Sequence, residues 1–299
     1  MKIPKRLEPL FHDGLIDEVV CPLMSGKEAE VYVVRSEGEI RCAKVYKEAH
    51  NRSFHTQARY REGRKGRDSR QARAMAKRTR HGRQEQEEAW HNAEVDALYR
   101  LAAAGVRVPQ PHACVGGVLL MELVTDGEGN PAPRLSDLEL TGAQARDYHH
   151  TLIGQVVRML CAGVVHGDLS EYNVLIDRHG PVVIDLPQAI NAAGNNNAGP
   201  LLQRDVDNLA SYFGGFAPEL LLTRYGQEMW HLYENGELHA GTELTGRFQD
   251  SEELADVEGV MDQIADAREE AERRVGRTSA KEGSWTLTEA LNPALQPAG

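Results

Sequence analysis

Apolar and polar positions repeat with two different periods along the chain, and the change of period divides it. Residues 5–17 carry apolar positions at helical spacing and predict a short amphipathic helix. Strand-length apolar runs follow at 18–23, 30–34 and 40–46. After a long polar stretch the helical period returns over 84–104 and stops at Gly105, a residue suited to a left-handed cap. Residues 106–111 read as extended, and Gly116-Gly117 as a turn into a strand over 118–124. A Gly- and Pro-rich loop, 125–133, closes this strand-rich part.

The remainder is mainly helical. Thr141 with Gln144 three residues on forms a capping-box signature. The stripe Tyr148, Leu152, Val156, Met159 and Leu160 then predicts a helix stopping at Gly163. A hairpin follows: strand 173–177, the turn Arg178-His179-Gly180, and strand 182–185. Helices are predicted over 201–213 and 218–234, and residues 250–299 form a charged tail with helical period as far as Val275. The pattern predicts an α+β fold of two lobes, a strand-rich one over about 1–124 and a helical one over about 125–249.

Candidate chemistry gathers around the hairpin. With a turn centred on His179, Asn173 and Asp185 face each other across the ladder, about 5 Å apart on one side of the sheet. An amide oxygen and a carboxylate placed so share a hard cation such as Mg²⁺, with Mn²⁺ as the alternative. Asp168 stands five residues before Asn173 in the loop opened by His166-Gly167. The spacing H-x-D-L-x-x-x-N with a strand-end aspartate is a phosphotransferase layout: base, metal amide, metal carboxylate. Lys44 shares a strand face with Ile40, Cys42 and Tyr46, and Glu94 lies in the apolar stripe of Trp90, Ala97, Leu98 and Leu101. A cation and a carboxylate each set among apolar residues predict a pair. The turn MSGKEAEVY offers Ser25, Gly26, Lys27, Glu28 and Val31 to ATP, and Met121, Glu122, Leu123 and Val124 end the strand whose backbone meets adenine. That turn is neither G-x-G-x-x-G nor a Walker A loop.

Charge adds a second theme. Between Lys47 and Arg83 thirteen Lys/Arg stand against three acids, a net +10, which leaves −21 on the rest of a chain whose total is −11. Such an arm predicts a polyanionic partner, structured RNA foremost, with a solvated loop as the bland alternative. No apolar run approaches the ~18 residues that span a bilayer, and the N-terminus lacks a secretory pattern, so no membrane partner is expected. Cys21, Cys42, Cys114 and Cys161 hold no CxxC pair, and three lie in apolar stretches; reduced core thiols in a cytoplasmic protein are expected.

The strings SGKEAEVY, CAKVYK, HGDLSEYN, VVIDLPQA and LLQRDVDNL, in this order, resemble the RIO family of atypical protein kinases, over about residues 10–248. It is most similar to the type without an N-terminal winged helix. The resemblance implies a kinase-like fold and ATP- and Mg²⁺-dependent phosphorylation of Ser/Thr in proteins, including the chain itself. It further implies ATPase activity and a link to small ribosomal subunit maturation. By motif, Lys44 resembles the ATP-anchoring lysine, Glu94 its partner, Asp168 the catalytic aspartate, and Asn173 and Asp185 the metal ligands. Asp185 also resembles an aspartate that transiently accepts phosphate, and Asp205 one that braces the catalytic loop. Leu186-Pro187 stands where ordinary kinases have Phe-Gly, and the short run from Asp185 to Asp205 predicts no long activation loop and no APE segment. A small-molecule kinase of the aminoglycoside or choline type shares the HGDL-x-x-x-N loop and is the alternative enzyme. A slow ATPase switch docking on RNA or ribosomal particles is the other.

Overall fold

The structure, a computed structural model, describes residues 4–26, 29–47 and 93–249. Lys27, Glu28, Trp90, nearly all of the basic arm and the tail 250–299 therefore lie outside the described residues.

A five-stranded antiparallel sheet organises the first part, in the order β1-β2-β3-β5-β4. Its strands are β1 (Glu18–Ser25), β2 (Ala29–Ser36), β3 (Glu39–Tyr46), β4 (Pro111–Val115) and β5 (Val118–Glu122). Gly116 and Gly117 both have positive φ, +60° and +77°, as a tight turn between right-twisted strands requires. Alternation then sorts the side chains of β3. Ala43 and Val45 join Val34, Val118 and Leu120 in a core beneath Leu7, Leu10 and Ile16. Cys42, Lys44 and Tyr46 point the other way, towards a cleft.

Helix α1 is only Glu8–His12, shorter than the predicted 5–17, because Gly14 turns left-handed (φ +70°) and Leu15 N–H closes back on Leu10 O at 2.9 Å. The described part of α2 covers 93–103 and ends at Gly105, with Val106 N–H on Leu101 O at 3.0 Å. Ala97, Leu98 and Leu101 of α2 enter the main core, as the stripe predicts.

The second part packs around α3 (Gly142–Cys161). Its capping box is present: Gln144 N–H donates to Thr141 Oγ1, and Thr141 N–H to Gln144 Oε1. Leu152, Val156, Met159 and Leu160 are buried. After β6 (Val164–Val165) come the hairpin β7 (Val174–Asp177) and β8 (Gly180–Val183), then β9 (Ile190–Asn191), α4 (Ala198–Gly214) and α5 (Tyr225–Glu234). The single helix expected over 218–234 is two pieces. Thr223 is extended (ψ 144°), so Pro218–Leu222 is a 3₁₀ turn and the α-helix restarts at Tyr225. All four cysteines are free, but of the expected core thiols only Cys42 is buried; Cys21, Cys114 and Cys161 are exposed. No helix among the described residues is long and apolar enough to cross a membrane.

His149 is buried against the rings of Phe213 and Tyr225, and its Nε2 has no hydrogen-bond partner. Burial, with His150 nearby, pushes its pKa down to about 4 from 6.5. Because the folded value is the lower one, the neutral ring's contribution is present above the unfolded pKa and lost as pH falls from about 6.5 towards 4. His149→Leu should therefore lose less stability than wild type between pH 7.5 and 5, by about 1–3 kcal/mol. Chemical denaturation of both proteins at the two pH values checks this; parallel losses would show that His149 does not titrate.

Candidate active site

A cavity of about 540 Å³ lies between the sheet and the β7–β8 hairpin. Lys44 reaches it from β3. Its Nζ stands 2.6 Å from Glu94 Oε1 of α2 and 2.8 Å from Asp185 Oδ1. Glu94 is only 5 % exposed, so the predicted pairing is what allows a carboxylate inside that stripe. Burial pulls the Lys44 ammonium towards neutrality, but the attraction of Glu94 and Asp185 outweighs it and the pKa is raised. Burial likewise acts to raise Asp185, and Lys44 overrides it, holding the carboxyl below its usual range.

The hairpin register differs from the expected one. Val174 pairs with Val183 and Asp177 with Gly180, so the turn is the two residues Arg178-His179. Asn173 thus sits opposite Ile184, whose N–H donates to Asn173 O at 2.9 Å, and not opposite Asp185. Asn173 also ends a 3₁₀ turn, Glu171–Asn173, and is not a strand residue. A one-residue slip would send Asp185 to the wrong face. It is returned by the backbone: Asp185 has φ +65°, a left-handed conformation that aspartate tolerates better than most residues. Asp185 and Asn173 consequently both line the cavity, with Asp168.

The loop carrying Asp168 is held by polar bonds. Buried Asp205 of α4 accepts Gly167 N–H at 2.7 Å and Leu169 N–H at 3.0 Å, the bracing geometry that its motif implies. Burial raises its pKa to about 6, although those amides, His166 and Arg204 all favour the charged form. Arg204 donates to Gly167 O, and Asn208 Nδ2 to Leu169 O at 3.1 Å. His166 joins the loop to the hairpin: Nδ1 accepts Asp168 N–H at 3.3 Å, which leaves Nε2–H to donate to Ile184 O at 3.1 Å. Asn173 Nδ2 donates to Asp168 O at 2.8 Å. The Asp168 carboxyl is raised by burial, with His166 and Arg204 opposing and Asp185 adding.

Gly26, Val31, Met121, Glu122, Leu123 and Val124, the residues expected to meet ATP, line the cavity. Ser25 does not; its hydroxyl accepts from Lys47 Nζ at 3.1 Å, and Lys47 also bonds Gly26 O at 2.9 Å. Around Leu123 the backbone is tied on both sides, Glu122 N–H to Gln110 O and Val124 O to Ala132 N–H. Walls that sequence reasoning missed include Pro131–Arg134, Asp137, Leu175 and Gln188. Nothing in the pattern marks Arg134. The role of His166 was legible in principle, since a histidine two residues before an aspartate can cap that residue's amide.

Lys44 keeps Asp185 if Glu94 is neutralised, whereas removing Lys44 strips the buried Glu94 of its cation. Lys44→Met should therefore destabilise by about 3–5 kcal/mol and Glu94→Gln by less. The double variant should fall short of the sum by at least about 1 kcal/mol. Urea denaturation of the four proteins measures the coupling, and additive losses would mean that the pair is not energetically linked.

Residues 30–225 match the family model described as RIO domain. The chain is 36 % identical over 206 residues to the RIO-type serine/threonine-protein kinase Rio1 of Haloferax volcanii, covering 68 % of this chain and 66 % of that protein. Over 211 residues it is 30 % identical to the serine/threonine-protein kinase rio1 of Schizosaccharomyces pombe, with 68 % and 40 % covered. Over 199 residues it is 31 % identical to the Methanocaldococcus jannaschii Rio1, with 66 % and 63 % covered. The chain thus spans from two fifths to just under two thirds of the length of these relatives. With Lys44, Asp168 and Asp185 meeting in one cleft of an α+β fold, and with the match running through all three, the chain belongs to the RIO family.

Proposed function

We propose that this chain is an ATP- and Mg²⁺-dependent atypical serine/threonine protein kinase. The observation that carries the reading is the convergence of Lys44, Asp168, Asn173 and Asp185 on one cavity, with Lys44 fixed by two carboxylates. The names of its relatives, serine/threonine-protein kinases, agree with it.

The donor set fits a hard divalent ion. Lys44 keeps Asp185 ionised, and the bond from Asn173 Nδ2 to Asp168 O leaves the amide oxygen as the other acceptor. With one carboxylate and one amide oxygen from the protein, the ion would be completed by water and phosphate oxygens. When bound there, Mg²⁺ or Mn²⁺ neutralises phosphate charge during transfer.

Lys44 orients the nucleotide's phosphates, and the backbone around Leu123 meets the base. Asp168 receives the proton of a serine or threonine hydroxyl as that oxygen bonds to the terminal phosphorus and the bond to the departing ADP oxygen breaks. A carboxyl raised by burial is the better proton acceptor for this step. Water in place of the hydroxyl gives ATPase activity, and a hydroxyl of the chain itself gives autophosphorylation.

Asp168→Asn should lower the rate of transfer to a protein substrate about 10²-fold or more while nucleotide affinity stays near wild type. Asp185→Asn keeps a side chain that tolerates left-handed backbone and should instead weaken Mg²⁺-nucleotide binding. Calorimetric titration of both variants, beside phosphate-transfer assays on protein, aminoglycoside and water, tests the assignment. Transfer to aminoglycoside alone would overturn the protein-kinase reading.

The net +10 of residues 47–83 supports a polyanion as second partner, structured RNA such as that of a small ribosomal subunit. Contact with about five phosphates predicts that log K falls against log salt with a slope of roughly −3.5 to −4.5. Replacing 48–83 by a Gly/Ser linker should abolish that slope in filter-binding assays; equal RNA affinities would exclude the arm.

A further inference from the structure

Arg134 lines the cavity and takes no part in the chemistry above. Its backbone is anchored beside the hairpin: it bridges Leu175 of β7, and Ile176 N–H donates to Pro133 O at 2.9 Å. From this anchor the side chain crosses to the opposite wall, where Nη2 lies 3.3 Å from the sulfur of Met24 in β1. A thioether is a weak acceptor, and a guanidinium carries five N–H donors. Among the described residues this is the one hydrogen bond the guanidinium makes.

The other cation lining the cavity is differently placed. Lys44 is engaged by Glu94 and Asp185, so its charge is shared before any ligand arrives. Glu94, Glu122, Asp137, Asp168 and Asp185 all line the same cavity and would repel a polyphosphate. Arg134 is half-buried, almost uncommitted, and near enough for its charge to act on Asp185. Its planar fork matches two phosphate oxygens at once.

We infer that Arg134 binds the polyphosphate of the nucleotide, exchanging the Met24 sulfur for phosphate oxygens. This rests on the reading of the cleft as a nucleotide site. Lys44 and Arg134 then hold the phosphates from different walls, the sheet and the segment beside β7. Arg134 is a binding residue and handles no proton.

The test is calorimetric titration of the full chain with Mg²⁺-ATP, Mg²⁺-ADP and adenosine, for wild type, Arg134→Met and Arg134→Lys. Arg134→Met keeps the apolar stem and should weaken ATP and ADP about tenfold or more, the loss of a charged hydrogen bond, with adenosine within twofold of wild type. Arg134→Lys restores the charge and should recover part of the loss. If melting shows Arg134→Met to be unfolded, Arg134→Gln replaces it. Unchanged ATP and ADP affinities, or an equal loss for adenosine, would remove Arg134 from the phosphate site. A wild type that binds none of the three would overturn the nucleotide reading itself, and is told apart because it needs no variant.

Discussion

One ammonium group ties three remote stretches of chain together. Lys44 comes from the middle of a sheet, Glu94 from a helix fifty residues on, and Asp185 from the end of the hairpin in the other lobe. Glu94 and Lys44 are the two that depend on pairing, since Asp185 is exposed. A carboxylate as buried as Glu94 costs several kcal/mol unless paired, and a lysine on the inward face of β3 needs anions. The contact therefore sets the spacing between sheet, α2 and hairpin, and with it the width of the cleft.

Around that contact the site is held mainly by backbone bonds. Asp205, Asn208, Arg204 and His166 each grip main-chain groups of the loop from Gly167 to Leu169 or of Ile184. Such a loop has little freedom to relax when a ligand leaves, and this is what preorganisation means in material terms. The arrangement carries a cost: with its pKa raised to about 6, Asp205 is ionised at neutral pH against the preference of its buried position.

Much of this was legible because it is local. The capping box of α3, the glycine pair between β4 and β5, and the alternation that points Lys44 inward depend on residues a few positions apart. The pairing of Lys44 with Glu94 was legible for another reason: two charges, each in an apolar stripe, had few other ways to be satisfied. The hairpin register was not. Arg-His-Gly suits a turn of two or of three residues, and the choice moves Asn173 by one partner. The expected pairing of Asn173 with Asp185 across the ladder does not occur; both side chains line the cavity, with a left-handed backbone at 185. Ser25 does not line the cavity, and its hydroxyl accepts from Lys47, a tertiary contact that no period records. Arg134 was missed because it lies in a loop, where its neighbours in sequence say nothing about its neighbours in space.

The left-handed backbone at Asp185 gives that position two independent filters for sequence change. Conformation admits glycine and asparagine most readily, and a β-branched residue least. Chemistry asks for a carboxylate to meet Lys44 Nζ, which glutamate keeps and the first two lack. Aspartate meets both demands with the shortest side chain; glutamate keeps the charge and can enter the left-handed region, as Glu37 does at φ +54°, but its extra methylene would displace the oxygen that stands 2.8 Å from Lys44 Nζ. The choice of residue at this position is thus narrowed by the backbone as much as by the reaction.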